Sequence, residues 1–172
     1  MLRRFDCFSE LDAGKLMAVY EESNFENTDY FFPDIQDKTE AVRKVEEGFL
    51  SYLEQDFFQS TNPSYWILED SGQWISALRL NELEPGFYYL EALETRPDSR
   101  RKGYGARLLT EVLEALKEKG PFTLCDCVGK RNEASLRTHR KCGFAIVSDE
   151  GYDYLNREAD SRVYGLQYQY SE

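Results

Sequence analysis

Leu90-Glu91-Ala92-Leu93-Glu94-Thr95-Arg96-Pro97-Asp98-Ser99-Arg100-Arg101-Lys102-Gly103-Tyr104-Gly105-Ala106-Arg107-Leu108-Leu109 runs from a strand-like segment through a proline and a basic turn into an amphipathic helical pattern. A helix that begins on a glycine turn presents unpaired backbone N–H groups and the positive end of its dipole. Together these form an anion pocket without a dedicated side chain. Gly103 and Gly105 let the backbone approach the anion, and Arg100, Arg101, Lys102 and Arg107 add positive charge around it. A Mg-nucleotide loop needs Lys-Ser or Lys-Thr after its last glycine, but Ala106-Arg107 follow here. A dinucleotide fingerprint needs a small residue where Leu108 stands. What remains is a Mg-free cradle for a pyrophosphate.

Arg100-Arg101-Lys102-Gly103-Tyr104-Gly105 fits the pattern Arg/Gln-x-x-Gly-x-Gly/Ala. Downstream, Asn132-Glu133-Ala134-Ser135-Leu136-Arg137-Thr138-His139-Arg140-Lys141-Cys142-Gly143-Phe144 carries Asn-x-x-Ala/Ser followed by x-Lys-x-Gly-Phe. Two such patterns, in this order and at this separation, closely resemble the GNAT superfamily of N-acetyltransferases over about residues 65–150. The resemblance implies a mixed α/β fold: a mostly antiparallel twisted sheet with a central splayed parallel strand pair, flanked by helices. It implies acetyl-CoA as cosubstrate and no metal. The cosubstrate is expected between the strands Phe87 to Thr95 and Phe122 to Val128, its pyrophosphate on the glycine turn and its pantetheine arm along the first strand. Carried over position by position, the contacts fall on Leu93, Glu94, Thr95, Arg100, Arg101, Lys102, Gly103, Tyr104, Gly105, Ala106, Asn132 and Ser135. Asn132 also reads as a helix N-cap and Ser135 as a small packing residue. One domain is expected over 1–172, with an acceptor-side part at about 1–62 and an acetyl-CoA-binding core at about 63–172.

Composition bounds the partners. With 172 residues and 15% aromatics the chain has the bulk for one substantial core. A net charge of −11 argues against nonspecific binding to nucleic acid or to an anionic membrane, since both need a basic footprint. No apolar run approaches a membrane span and Met1-Leu2-Arg3-Arg4 lacks a signal-like stretch, so a soluble, cytoplasmic protein is expected. Cys7, Cys125, Cys127 and Cys142 are scattered and His139 is the only histidine. That argues against a zinc site and for reduced, packed thiols. A homodimer is compatible with the family resemblance.

Amine acetylation needs a neutral nitrogen. Deprotonation at pH 7 costs roughly 4–5 kcal/mol for a lysine-like amine and about 1 kcal/mol for an α-amine. Glu91 is the preferred base, because its position resembles that of the strand glutamate used by several family members; Glu94 and a water chain are the alternatives. Strand alternation places Glu91 and Glu94 on opposite faces. His139 stands where many family members carry a tyrosine that protonates the leaving thiolate, and an imidazole can donate near neutral pH. The acidic, aromatic segment from Glu21 to Asp56 favours a cationic acceptor. A non-catalytic acyl-CoA-binding regulatory module and a purely structural domain are the readings from other classes.

Along the chain, Leu2 to Phe8 reads as a short strand. Leu16, Val19 and Tyr20 mark a helix that fades near Ser23, Asn24 to Asp37 reads as loop, and a second helix is expected from Thr39 to about Phe58. Asp70-Ser71-Gly72 signals a hairpin within Tyr65 to Leu78. Helices are expected over Gly103 to Lys119 and Asn132 to Cys142, and final strands over Phe144 to Val147 and Arg162 to Tyr170. Ser148 to Ser161 reads as polar and flexible.

Overall fold

The computed structural model describes all residues 1–172. Its strands are β1 (Leu2–Phe5), β2 (Pro63–Asp70), β3 (Gln73–Glu84), β4 (Phe87–Thr95), β5 (Phe122–Gly129), β6 (Ala145–Ser148), β7 (Gly151–Asp153), β8 (Glu158–Asp160) and β9 (Val163–Tyr170). The helices are α1 (Ala13–Val19), α2 (Glu21–Glu26), α3 (Thr28–Phe31), α4 (Lys38–Gln55), α5 (Tyr104–Lys117) and α6 (Glu133–Lys141). Seven strands form one sheet in the order β1-β2-β3-β4-β5-β9-β6. Every neighbouring pair is antiparallel except β4–β5. The mixed α/β architecture expected from the sequence is therefore the one observed.

Each face of the sheet has its own core. On one face Leu108, Leu109, Val112, Leu113 and Leu116 of α5 pack on Trp66, Leu78, Leu80, Tyr88, Leu90 and Leu124. The spacing of these α5 residues is that of one helical face, so the same side of the helix meets the sheet throughout. On the other face Leu16 and Val19 of α1, its C-cap Tyr20, and Leu53 of α4 pack on Tyr65, Ile67, Trp74 and Ala77.

Two segments are more ordered than their sequence suggests. Asn24 to Asp37, expected as loop, contains the end of the short helix α2 and all of α3. Neither carries an apolar stripe. Tertiary bonds hold them instead, with Thr28 Oγ1 donating to the Phe25 carbonyl at 2.7 Å and accepting from Lys38 Nζ at 3.1 Å. Ser148 to Ser161 contains the β7–β8 hairpin. Its tyrosines anchor it, with the Tyr154 ring 5.2 Å from Phe87 and 5.5 Å from Tyr89. Gly151 is obligatory there, because a Cβ would lie 2.5 Å from Val163 Cγ2 and 2.9 Å from Cys127 Sγ.

Candidate active site

Strands β4 and β5 are hydrogen-bonded only from Phe87↔Thr123 to Leu90↔Asp126, although β4 continues to Thr95 and β5 to Gly129. The parallel pair therefore parts at Leu90 and Asp126, leaving the β5-facing edge of residues 91–95 open. At the far end of that edge the chain turns through Pro97–Ser99 into α5.

The turn leaves its backbone donors free. Gly103 is the N-cap of α5 with φ 81°, a conformation that a residue with a Cβ adopts only at a cost. No side chain caps the helix. The amides of residues 101–106 donate to no acceptor in the protein. Gly105 sits against the end of β4, where a Cβ would come 3.3 Å from Thr95 Oγ1. Arg100 braces the turn rather than hanging free, donating from Nε to the Thr95 carbonyl at 3.2 Å and pairing with Glu22 and Glu94.

A cleft of about 820 Å³ joins these pieces. Leu93, Glu94, Thr95, Arg100, Arg101, Gly103, Tyr104, Gly105, Ala106, Asn132 and Ser135 all line it. Of the sequence-derived contacts only Lys102 is missing from the wall; its Nζ donates to the Asp98 carbonyl at 3.2 Å. Asn132 serves as the N-cap of α6, accepting from Ser135 N at 3.1 Å, and lines the cleft as well. The far wall comes from α6 and includes Arg137 and Lys141.

Glu91 lies where the strands part. Burial pushes its carboxyl above the usual range; Arg79 offsets part of the rise, and Asp153 and Asp126 add to it. Glu94 is also raised by burial, against the Ser23 hydroxyl that donates to its Oε2 at 2.8 Å and the nearby Arg100. Strict alternation would separate these two glutamates, but β4 has a bulge. Ala92 adopts φ 55° and the register slips between Ala77 and Arg79. The extra residue shifts the alternation by one. Leu93 thus packs into the α5-side core and Ala92 into the α1-side core. Glu91 and Glu94 consequently share the α1–α4 face, which corrects the expectation of opposite faces.

A hydrogen-bonded chain holds the bulge. Tyr20 Oη donates to the Ala92 carbonyl at 2.7 Å, and Tyr65 Oη donates to Tyr20 Oη at 2.8 Å. Because the peptide is trans, fixing the Ala92 carbonyl toward Tyr20 turns the Leu93 N–H the opposite way.

His139 is placed differently from a donor at the cleft wall. It is fully buried, and both ring nitrogens are engaged. Nδ1 lies 2.8 Å from the Ser135 carbonyl, to which it donates, and Nε2 lies 2.6 Å from Asp126 Oδ2. Burial alone would lower the ring's pKa, but the Asp126 bond and charge, with the Ser135 carbonyl, raise it. Asp126 is itself raised by burial, against the pull of His139 and of the Cys127 amide. Arg79, Asp126, Tyr20 and Ala92 escaped the sequence reading. A charged residue inside an apolar strand run was the available signal for the first two, Arg79 within Trp74 to Leu80 and Asp126 between Cys125 and Cys127. All four cysteines are free thiols, and no cluster of His, Cys, Asp or Glu has the makings of a metal site. No helix is long and apolar enough to cross a membrane.

Residues 17–144 match the model of the acetyltransferase (GNAT) family. No curated protein sequence matches the chain. Among solved structures, the PaiA N-acetyltransferase of Thermoplasma acidophilum in complex with coenzyme A is similar at a TM-score of 0.63 and 17% identity, covering 99% of both chains. The ribosomal-protein-S18-alanine N-acetyltransferase of Escherichia coli is similar at a TM-score of 0.61 and 19% identity, over 100% of this chain and 96% of that one. The N-acetyltransferase PseH of Campylobacter jejuni, in complex with acetyl coenzyme A, is similar at a TM-score of 0.57 and 19% identity, over 99% of this chain and 100% of that one. At these identities the likeness is one of fold. The family model spans most of the chain, including the glycine turn and the α6 motif, and on that ground the protein belongs to the GNAT acetyltransferase family.

Proposed function

We propose that the protein transfers the acetyl group of acetyl-CoA to a primary amine. The carrying observation is that unpartnered amides at residues 101–106 and the open edge of β4 line one cleft. A diphosphate fits the first feature, since helix N-terminal amides and their dipole favour anions. An extended chain with amide groups fits the second, as when a peptide adds to a sheet edge. CoA carries both groups, and a cleft of about 820 Å³ falls in the range used for cofactor-sized ligands. Gly103, Tyr104, Gly105 and Ala106 would hold the diphosphate, with Arg100, Arg101 and Lys102 adding charge. Leu93, Glu94, Thr95, Asn132 and Ser135 would flank the arm.

The reaction joins the amine nitrogen to the acetyl carbon and breaks the carbon–sulfur bond. Glu91 takes the proton that the nitrogen loses, and its raised affinity for protons brings it nearer to neutrality, where a general base is most useful. The Leu93 N–H, held by the Tyr20-supported bulge, is assigned to the developing oxyanion. The departing thiolate takes its proton from solvent. His139 is assigned a positioning role, fixing Asp126 at the point where β4 and β5 part, in place of direct donation.

Calorimetry with acetyl-CoA, together with an acetylation assay over an amine panel, tests the reading. The expected result is binding plus turnover, and Glu91→Gln is expected to lower kcat with little effect on acetyl-CoA affinity. Binding without turnover on any amine would mean a regulatory module, and no binding would exclude both. An unchanged pH–rate profile in Glu91→Gln would remove Glu91 as the base.

A further inference from the structure

Arg79 of β3 stands opposite Glu91 of β4 in the sheet register. It is a charged residue only 9% exposed, and neither its Nε nor its Nη1 has a hydrogen-bond partner in the protein. Glu91 Oε1 is buried and unpartnered as well. The two side chains approach to 4.0 Å between Nη2 and Oε1, which is beyond hydrogen-bonding distance. What fixes the guanidinium is aromatic packing, with Cζ 5.9 Å from the Phe49 ring centre, 5.3 Å from Tyr52 and 5.4 Å from Phe57. Ring faces attract the cation but accept none of its N–H bonds in the way that an oxygen does. Buried charged donors are ordinarily satisfied, and unsatisfied ones call for an explanation. Here both members of an ion pair, one of them the proposed catalytic base, are left short of partners.

We propose that Arg79 and Glu91 together form the acceptor subsite and that the acceptor is an amino acid, its amine presented to Glu91 and its carboxylate to Arg79. The inference rests on the acetyltransferase reading above. The nitrogen of an α-amino acid and its nearer carboxylate oxygen are about one hydrogen-bond length apart. One such unit therefore spans two groups separated by 4.0 Å. A simple amine would satisfy Glu91 and leave the guanidinium bare, and a diamine would bring a second cation toward it. A carboxylate gives the guanidinium a charge-assisted partner at Nη2, the one nitrogen of the three that is not buried without a partner, and arginine's planar donors suit such a bond. The acidic wall of α2 to α4 then remains compatible with a positively charged amine approaching from solvent. The anionic half of the substrate is what the sequence reading lacked.

The test compares amino acids with their decarboxylated amines and their carboxamides at saturating acetyl-CoA, in the natural protein and in Arg79→Gln and Arg79→Lys. The expected result is a kcat/KM at least about tenfold higher for the acids. Arg79→Gln is expected to erase that preference mainly through KM, leaving acetyl-CoA affinity unchanged, and Arg79→Lys to keep part of it in a chain that still carries the charge. Amines or amides used as well as the acids, or a preference that survives in Arg79→Gln, would overturn the proposal. If acetyl-CoA binds but no amine turns over, the transferase reading fails; calorimetry of N-acetylamino acids on the CoA complex then decides the subsite. Binding that Arg79→Gln abolishes supports it, and no binding overturns it.

Discussion

Tyr20→Phe isolates the support of the β4 bulge while preserving the shape of the core. Tyr20 is 4% exposed and Tyr65 fully buried, and the lost oxygen makes two bonds, to the Ala92 carbonyl at 2.7 Å and from Tyr65 Oη at 2.8 Å. Each group left without a partner costs about 1–3 kcal/mol. The Tyr65 hydroxyl can rotate toward another acceptor, so the two losses together come to about 2–4 kcal/mol. A chain of this length loses about 2–4 °C of Tm per kcal/mol, which places the expected fall at roughly 4–16 °C. Ala92 at φ 55° is an unfavourable conformation costing about 1–2 kcal/mol, and its carbonyl loses the bond that compensates. The Leu93 amide is then no longer held, and a tenfold loss in kcat corresponds to about 1.4 kcal/mol of transition-state stabilisation. Scanning calorimetry reads the first effect and steady-state kinetics the second. Acetyl-CoA affinity serves as the control, because the glycine turn makes no bond to Tyr20. Tyr65→Phe keeps the bond to Ala92 and is expected to lose stability with most of its turnover intact. An unchanged Tm together with an unchanged kcat in Tyr20→Phe would refute the reasoning.

Gly103→Val forces a β-branched residue to φ 81° and disturbs the amides behind it, so acetyl-CoA affinity measured by calorimetry is expected to fall about tenfold or more. Lys141→Ala is expected to cost far less, and equal losses would count against capture by the backbone. His139 and Asp126 both hold protons more tightly in the folded chain. A raised folded-state pKa gives stability that is complete below the unfolded value, about 6.5 for histidine and 3.9 for aspartate, and is lost as pH rises through the folded value. The Tm advantage of the natural protein over His139→Gln is therefore expected to narrow above about pH 6.5, and a gap that widens there would refute the assignment.

Sequence alone determined whatever depends on short-range order. The glycine turn, its basic neighbours, the five-residue apolar face of α5 and the N-cap at Asn132 are local patterns of residue type and spacing, and the fold places them as those patterns require. Eleven of the twelve expected cofactor contacts line one cleft for the same reason, since they sit on a strand end, a turn and a helix start whose geometry is fixed locally. Tertiary structure decided the rest. The bulge at Ala92 puts Glu91 and Glu94 on one face, and nothing in the period of the strand announces it, because a bulge depends on the partner strand and on a tyrosine 72 residues away. His139 turns inward because Asp126, 13 positions earlier on β5, meets it there. Arg79 becomes an unsatisfied buried cation only once three aromatic rings of α4 and the segment after it close over its strand. Local sequence sets φ, ψ and periodicity, whereas burial and pairing of charges are properties of distant segments brought together, and those fix how Arg79 comes to face Glu91.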